Sequence, residues 1–243
     1  MSGDVLVIAS GKGGVGKTVT AVNLAVSLRL QDRSVALVDG DLAMPNVATH
    51  LGVDPEGTLH DVLSGEASLN RSVLRAAKGF GVLPGDGEIE GYAAADPARF
   101  AYVVDRLAHE YDCVLVDTGG GLSHDNALPL QVADDVLLVT SPDPPAVEDT
   151  ARTRSLLDVL GTVPRGVVVT KVTADADPTS VAATLDTDLL AAVPDDVAVE
   201  RSVVAGSPLE AHAPESDAAA VYRRLGRQLA KDGRSPRRDG VTA

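Results

Sequence analysis

The chain has 243 residues, 44% of them hydrophobic and 23% charged, enough for the core of one large α/β domain and too apolar for wholesale disorder. Its 35 acidic residues against 21 basic ones give a formal net charge of −14, which argues against a broad phosphate-neutralising, nucleic-acid-binding face. One cysteine, Cys113, excludes a disulfide framework and any cluster or zinc site built from paired cysteines.

No window approaches the roughly 18 consecutive apolar residues of a membrane span. The N-terminus, Asp4 before Val5-Leu6-Val7-Ile8, has neither a basic region nor a long apolar one. A cytoplasmic protein is expected, neither secreted nor membrane-spanning. Within each class the charges are lopsided, with 26 Asp to 9 Glu and 16 Arg to 5 Lys. A short, densely hydrated acidic surface of this kind resembles that of proteins working in molar salt, where the Debye length shrinks to about 3 Å. The richness in Ala, Val, Asp and Arg also fits a high-GC genome.

In chain order, apolar runs at Val5–Ala9, Val35–Val38, Gly81–Leu83, Val114–Val116, Val136–Val139, Val167–Val169 and Leu189–Val193 read as strands. Between them, Thr18–Arg29, Pro97–Glu110, Ala146–Leu160 and Ala218–Ala230 carry apolar residues at i, i+3 and i+4 and read as helices. Several strands are apolar on both faces, as buried parallel strands covered by helices must be. The expected fold class is therefore α/β, a doubly wound, mainly parallel sheet with helices on both faces. Residues 1–231 read as a single domain. Residues 232–243, around Gly233-Arg234-Ser235-Pro236-Arg237-Arg238, lack any apolar period and read as a flexible basic tail.

The first strand runs into Ser10-Gly11-Lys12-Gly13-Gly14-Val15-Gly16-Lys17-Thr18 and then a helix, so a tight loop presents backbone N–H groups at a helix N-terminus, an anion cradle. Two patterns overlap there. Gly11, Gly13 and Gly16 satisfy the dinucleotide pattern G-x-G-x-x-G, while Gly11, Gly16, Lys17 and Thr18 satisfy the triphosphate pattern G-x-x-x-x-G-K-[ST]. Asp39, 23 residues after Gly16, suits either. Lys17-Thr18 separates them, because a triphosphate site uses the ammonium on β- and γ-oxygens and the hydroxyl on Mg²⁺. Asp117, which closes the run Cys113–Val116 as a Walker-B-type aspartate does, points the same way.

These residues resemble the MinD/ParA group of deviant Walker A P-loop ATPases, nearest its MinD-like members, in a stretch of about residues 3–230. Lys12-Gly13-Gly14-Val15-Gly16-Lys17-Thr18 looks like the deviant Walker A motif, with Lys12 as its extra signature lysine. Asp39-Gly40-Asp41-Leu42-Ala43-Met44-Pro45-Asn46 resembles switch I, and Val116-Asp117-Thr118 followed by glycines resembles switch II. Val193-Pro194-Asp195-Asp196 and Gly206-Ser207-Pro208-Leu209 resemble the adenine side. Two places depart from the group's pattern. Gly119-Gly120-Gly121 stands where Pro-Ala-Gly is usual, which bears on the rigidity of the switch. Thr170-Lys171 stands where Asn-Arg is frequent, and Lys171 cannot stack as a planar guanidinium does, so looser base selectivity is expected.

The resemblance implies a P-loop NTPase fold of the SIMIBI type with ATP and Mg²⁺ as cofactors. Lys12, Lys17 and Asp41 are the expected catalytic residues: Lys17 on the phosphates in cis, Lys12 reaching those of a facing subunit, and Asp41 orienting the attacking water. The expected nucleotide contacts are Gly11, Lys12, Gly13, Gly14, Val15, Gly16, Lys17, Thr18, Val19, Thr170, Lys171, Pro194, Asp195 and Asp196. Thr18 is the expected Mg²⁺ ligand, with Asp39 and Asp117 behind it through water. Asn46, Gly119 and Gly120 are the expected switch residues. The implied function is an ATP-dependent dimerisation switch for spatial positioning, at the division site or in polar or motility machinery. A ParA-like DNA-partitioning ATPase and a non-hydrolysing nucleotide-binding scaffold are the alternatives.

Other polar residues read as structural. His50, His60, His109, His124 and His212 are scattered without metal-ligand spacing, and Asp134-Asp135 and Asp143 read as a solvated surface. Expected partners are ATP or ADP, a second copy when ATP is bound, and a protein regulator or adaptor; nucleic acid is not expected. Residues 223–239 hold seven basic and two acidic side chains but no apolar face beyond Leu229, and Pro236 interrupts any helix. Membrane association is therefore expected to be weak or indirect.

Overall fold

Six of the eight strands are buried and apolar enough that each needs partners on both edges and cover on both faces. The computed structural model describes residues 2–121 and 124–231. Strands β1 (Asp4–Ser10), β2 (Val35–Asp39), β3 (Leu74–Arg75), β4 (Gly81–Leu83), β5 (Cys113–Gly120), β6 (Asp135–Thr140), β7 (Gly166–Val172) and β8 (Leu189–Pro194) form one sheet in the order β3-β4-β2-β5-β1-β6-β7-β8. Every pairing is parallel except β3 with β4.

Alternation within the strands splits the core in two. Leu6, Ile8, Leu37 and Leu115 face one apolar layer, under α1 (Lys17–Arg29) and α12 (Asp217–Lys231); Val7, Val38, Val114 and Val116 face the other, under α6 (Phe100–Glu110) and α8 (Pro144–Val159). Helices α1 and α12 approach closely: Gly226 lies so near Ser27 that an added Cβ would sit 2.5 Å from the serine Cβ. Tyr222, buried at 2% exposure, shares a 3.1 Å hydrogen bond with Thr20.

The long helices lie near where periodicity puts them, with two boundary changes. Pro97–Arg99 is a 3-10 turn capped by Asp96, so α6 begins only at Phe100, and α8 begins at Pro144, two residues early. Short helices were not anticipated: α2 (Val47–Leu51), α3 (Leu59–Ser64), α4 (Leu69–Ser72), α5 (Ile89–Ala94), α7 (His124–Gln131), α9 (Pro178–Thr184), α10 (Val197–Val204) and α11 (Leu209–His212). Four to eight residues hold too few turns for a 3.6-residue repeat to show. Caps start several of them; α3 has a reciprocal capping box between Thr58 and Asp61.

Two further expectations need correction. Asp117 does not close its strand: β5 runs on to Gly120, because β1 and β2 flank it and pair Ile8 and Asp39 with Asp117 and Ser10 with Gly120. Nor are Asp134 and Asp135 merely solvated. The Val5 N–H donates to Asp134 Oδ2 at 2.9 Å, and Asp135 pairs with Arg165 at 3.1 Å, which ties the entry of β6 to its neighbours. Asp143 accepts from the Ser141 hydroxyl just before α8. Residues 232–243, expected to form a basic tail, lie outside the described residues. No described helix is long and apolar enough to cross a membrane.

Candidate functional site

In an open parallel sheet, ligands bind beyond the carboxyl ends of the strands where the winding reverses. Here β1 turns into the loop Gly11–Gly16, β2 ends on Asp39, β5 carries Asp117 to Gly120, β7 carries Thr170-Lys171 and β8 ends on Pro194, all around one cleft of about 1210 Å³.

The loop after β1 departs from ordinary backbone at Gly14 and Gly16, with φ of 75° and 89°, and α1 begins at Lys17 with no side-chain cap and no acidic residue in its first turn. A helix N-terminus left so is suited to an anion. Gly13, Gly14, Gly16, Lys17, Thr18 and Val19 line the cleft. Val15 is buried beneath the loop, and Gly11 packs so tightly on the α8 backbone at Asp149 that a Cβ would not fit. Lys12 is exposed and outside the cleft lining; its carbonyl accepts from the Ser10 hydroxyl at 2.8 Å. Lys17 Nζ, buried, donates to Ser10 Oγ at 2.9 Å and to the Lys12 carbonyl at 3.4 Å. Burial lowers its pKa, against the pull of Asp117 and Asp41. Ser10, which the motif omits, thus seats the motif's lysine.

Two carboxylates lie behind the loop, each about 1% exposed. Asp117 Oδ2 accepts from the Thr18 hydroxyl at 2.6 Å, and Asp39 Oδ2 accepts from the N–H groups of Asn46 and Val47, both at 2.8 Å, at the start of α2. The other oxygen of each, Asp39 Oδ1 and Asp117 Oδ1, is buried without a hydrogen-bond partner in the protein, as is Asn46 Oδ1. Burial raises Asp39 to about 7. It raises Asp117 to about 8, with the charge of Asp39 adding to the shift and Thr18 and Lys17 opposing it. Two desolvated carboxylates with unused oxygens beside a threonine hydroxyl are an all-oxygen donor set, which fits Mg²⁺ ligated directly or through water. Among the described residues no group of three or more His, Cys, Asp and Glu is placed to hold a metal, so any ion here would rest on this pair, Thr18 and the nucleotide.

Asp41 lies in the cleft, half-buried, and its Oδ1 accepts from the Met44 N–H at 3.1 Å. Asn46, at the start of α2, also lines the cleft, and its carbonyl contacts His50 Nδ1 at 2.9 Å. Gly119 and Gly120 form the wall toward the loop. A Cβ on Gly120 would lie 2.5 Å from the Gly13 nitrogen, so only glycine lets β5 approach this closely.

On the far side, Thr170, Lys171, Pro194, Asp195 and Asp196 all line the cleft, but several of their polar atoms already have structural work. The Thr170 hydroxyl donates to the Val15 carbonyl at 2.6 Å, so its proton is already spent within the protein. Lys171, with φ of 53°, donates to the Gly14 carbonyl at 2.9 Å; thus both residues brace the phosphate loop. Asp196 spends one oxygen on the Ala198 N–H at the start of α10 and the other on the Ala218 N–H of α12. Val199, Val203 and Tyr222, which no motif marked, supply apolar wall. The signal for Val199 and Val203 lay only in apolar residues following Pro194, and Tyr222 stands on the long C-terminal helix α12 with no mark of a ligand role.

A family model described as the CobQ/CobB/MinD/ParA nucleotide binding domain matches residues 6–209. The chain is 34% identical to the cell division ATPase MinD of Pyrococcus furiosus, with a TM-score of 0.90 over 95% of this chain and 100% of that one. It is 32% identical to the septum site-determining protein MinD of Pyrococcus horikoshii OT3, solved with Mg-ADP, with a TM-score of 0.89 over 94% of this chain and 96% of that one. An uncharacterised ATP-binding protein of Methanocaldococcus jannaschii is 36% identical over 70% of this chain, which spans 65% of that protein's length. The fold therefore has its counterpart in solved relatives, and the chain belongs to the MinD/ParA family of nucleotide-binding proteins.

Proposed function

We propose that this chain is an ATP-driven dimerisation switch that hydrolyses ATP to ADP and phosphate and serves spatial positioning, of the division site or of polar or motility machinery. The observation that carries the reading is the pair of buried carboxylates, Asp39 and Asp117: each keeps one oxygen without a partner, while Asp117 takes the Thr18 hydroxyl on its other oxygen and feels the charge of Lys17. Such a pair is costly to desolvate without a cation to face.

Lys17 exchanges Ser10 Oγ and the Lys12 carbonyl for the β- and γ-phosphate oxygens, while the N–H groups from Gly13 to Thr18 surround them. Thr18, Asp39 and Asp117 would hold Mg²⁺ against those phosphates. When bound, the metal supplies positive charge to the phosphate oxygens. Asp41 orients a water on the γ-phosphorus. The new O–P bond forms as the bond to the β–γ bridging oxygen breaks; ADP leaves with that electron pair and both protons of the water stay with the released phosphate. Asn46 reads the nucleotide state through α2, and Gly119 and Gly120 move with it. The base occupies the side lined by Thr170, Lys171, Pro194, Asp195 and Asp196. Lys12, exposed and outside its own cleft, suits phosphates held by a facing subunit. The net charge of −14 favours a protein partner over nucleic acid.

The test is Asp41→Ala. With the phosphate and metal contacts intact, it should bind Mg-ATP, stop turnover and accumulate as a dimer by light scattering. A monomer with ATP for both this variant and wild type would refute the switch.

A further inference from the structure

His60 is buried at 1% exposure on α3 and touches neither the phosphate loop nor the metal carboxylates. Its Nε2 lies 2.9 Å from the Leu42 carbonyl, and its Nδ1 lies 2.9 Å from the Asp86 N–H. A carbonyl can only accept and an amide N–H can only donate, so the two contacts assign one neutral tautomer: Nε2 carries the proton and Nδ1 the lone pair. The ring therefore joins two segments far apart in sequence. One is the stretch from Asp41 to Asn46, in which the Asp41 carboxylate holds the Met44 N–H around the very turn that contains Leu42. The other is the loop Pro84–Glu88, which lies against the same stretch: Gly85 is close enough to Pro45 that an added Cβ would fall 2.3 Å from the proline Cβ. The α3 end of the bridge is rigid, because the Leu59 N–H donates to the Pro84 carbonyl at 2.6 Å and Thr58 and Asp61 cap the helix reciprocally.

We propose that His60 is a positioning residue that holds Asp41 at its working place by gripping the Leu42 carbonyl against the Pro84–Glu88 loop. The proposal rests on the reading of Asp41 as the residue that orients water. Without the Nε2–H bond the Asp41–Met44 turn keeps its short-range contact and its flanking ties, Gly40 N–H to the Asp117 carbonyl and Asn46 and Val47 N–H to Asp39, but loses the one bond that grips the turn itself at Leu42. Phosphate and metal contacts, made from α1, β2 and β5, stay where they are. The loss therefore falls on turnover and spares nucleotide binding.

The experiment compares His60→Leu and His60→Gln in steady-state ATPase kinetics, in calorimetry with Mg-ATP, and in hydrogen exchange of the amides of residues 43–47 with Mg-ATP bound. Glutamine offers an amide N–H to Leu42 and a carbonyl oxygen to Asp86; leucine offers neither. The leucine variant should lose about ten- to a hundredfold in kcat, the scale of a displaced catalytic group. Its Mg-ATP affinity should stay within about threefold, and glutamine should recover most of the kcat. Should leucine fail to fold, His60→Asn, too short to reach Leu42 while still able to face Asp86, carries the same expectation. A folded leucine variant with wild-type kcat overturns the proposal. So does a parallel loss of affinity and turnover, or a glutamine variant as slow as leucine. If wild type binds Mg-ATP without turning it over, the ATPase reading fails on its own, and exchange decides His60: faster exchange at 43–47 in the leucine variant, reversed by glutamine, supports the anchor, and unchanged exchange overturns it.

Discussion

Replacing Asp117 by asparagine should make the nucleotide-free protein more stable while removing the Mg²⁺-dependent part of its response to Mg-ATP. Asp117 is about 1% exposed, sits beside Asp39 and keeps one oxygen without a partner. Its pKa rises from 3.8 to about 8 on folding. A carboxyl whose folded pKa is raised keeps its proton in the native state while the unfolded chain has lost it, so its contribution is fully present below pH 3.8 and is lost as pH rises to about 8. At about 1.4 kcal/mol for each pH unit, the ceiling on what the charge costs at pH 8 is about 6 kcal/mol. Asparagine returns part of this, because its carbonyl still accepts from Thr18 but its buried NH₂ lacks a partner, a penalty of about 1–3 kcal/mol. With Lys17 also deprived of a counter-charge, a net gain of about 2 kcal/mol at pH 8 is expected, or roughly 4–8 °C in Tm for a chain of this size. By pH 5 the advantage should vanish. In wild type, Mg-ATP at 100 times its Kd should add about 2.7 kcal/mol; the Mg²⁺-dependent part of that shift should be absent in the variant. Differential scanning calorimetry at pH 5 and pH 8, with and without Mg-ATP, reads all of this. A variant less stable than wild type at pH 8, or one that keeps the Mg²⁺-dependent shift, would refute the claim that Asp117 is a strained metal-site carboxylate.

Lys17→Ala should abolish measurable Mg-ATP binding in calorimetry, since it removes the one buried ammonium of the phosphate loop. Cys113, pushed up to about 12 by burial, should resist iodoacetamide at pH 8 in the native protein and react at once in denaturant, as mass spectrometry can follow. Gly226→Ala should cost about 1–3 kcal/mol in urea unfolding, because α1 and α12 must separate to admit the new methyl against Ser27.

The phosphate loop, its lysine and threonine, and the two buried aspartates were legible from sequence because each sits at a fixed offset from a strand end, and chemistry at strand ends leaves a local trace. The same holds for the apolar strands and the long helices, whose periodicity spans several turns. Other parts carry no such trace. The insertion of β5 between β1 and β2, which buries Asp117 next to Asp39, pairs residues more than 70 positions apart. That Thr170 and Lys171 brace the loop rather than stand free toward a base, that Asp196 reaches the start of α12, and that His60 links Leu42 to Asp86 are likewise contacts between segments separated in sequence. Residue type and spacing thus determined which chemistry this chain carries and near which strand ends. Which carboxylate oxygens stay unpaired, and which polar groups are consumed in holding the site together, only the tertiary structure decided, because hydrogen bonding between distant segments depends on their approach in space and on burial that no local pattern encodes.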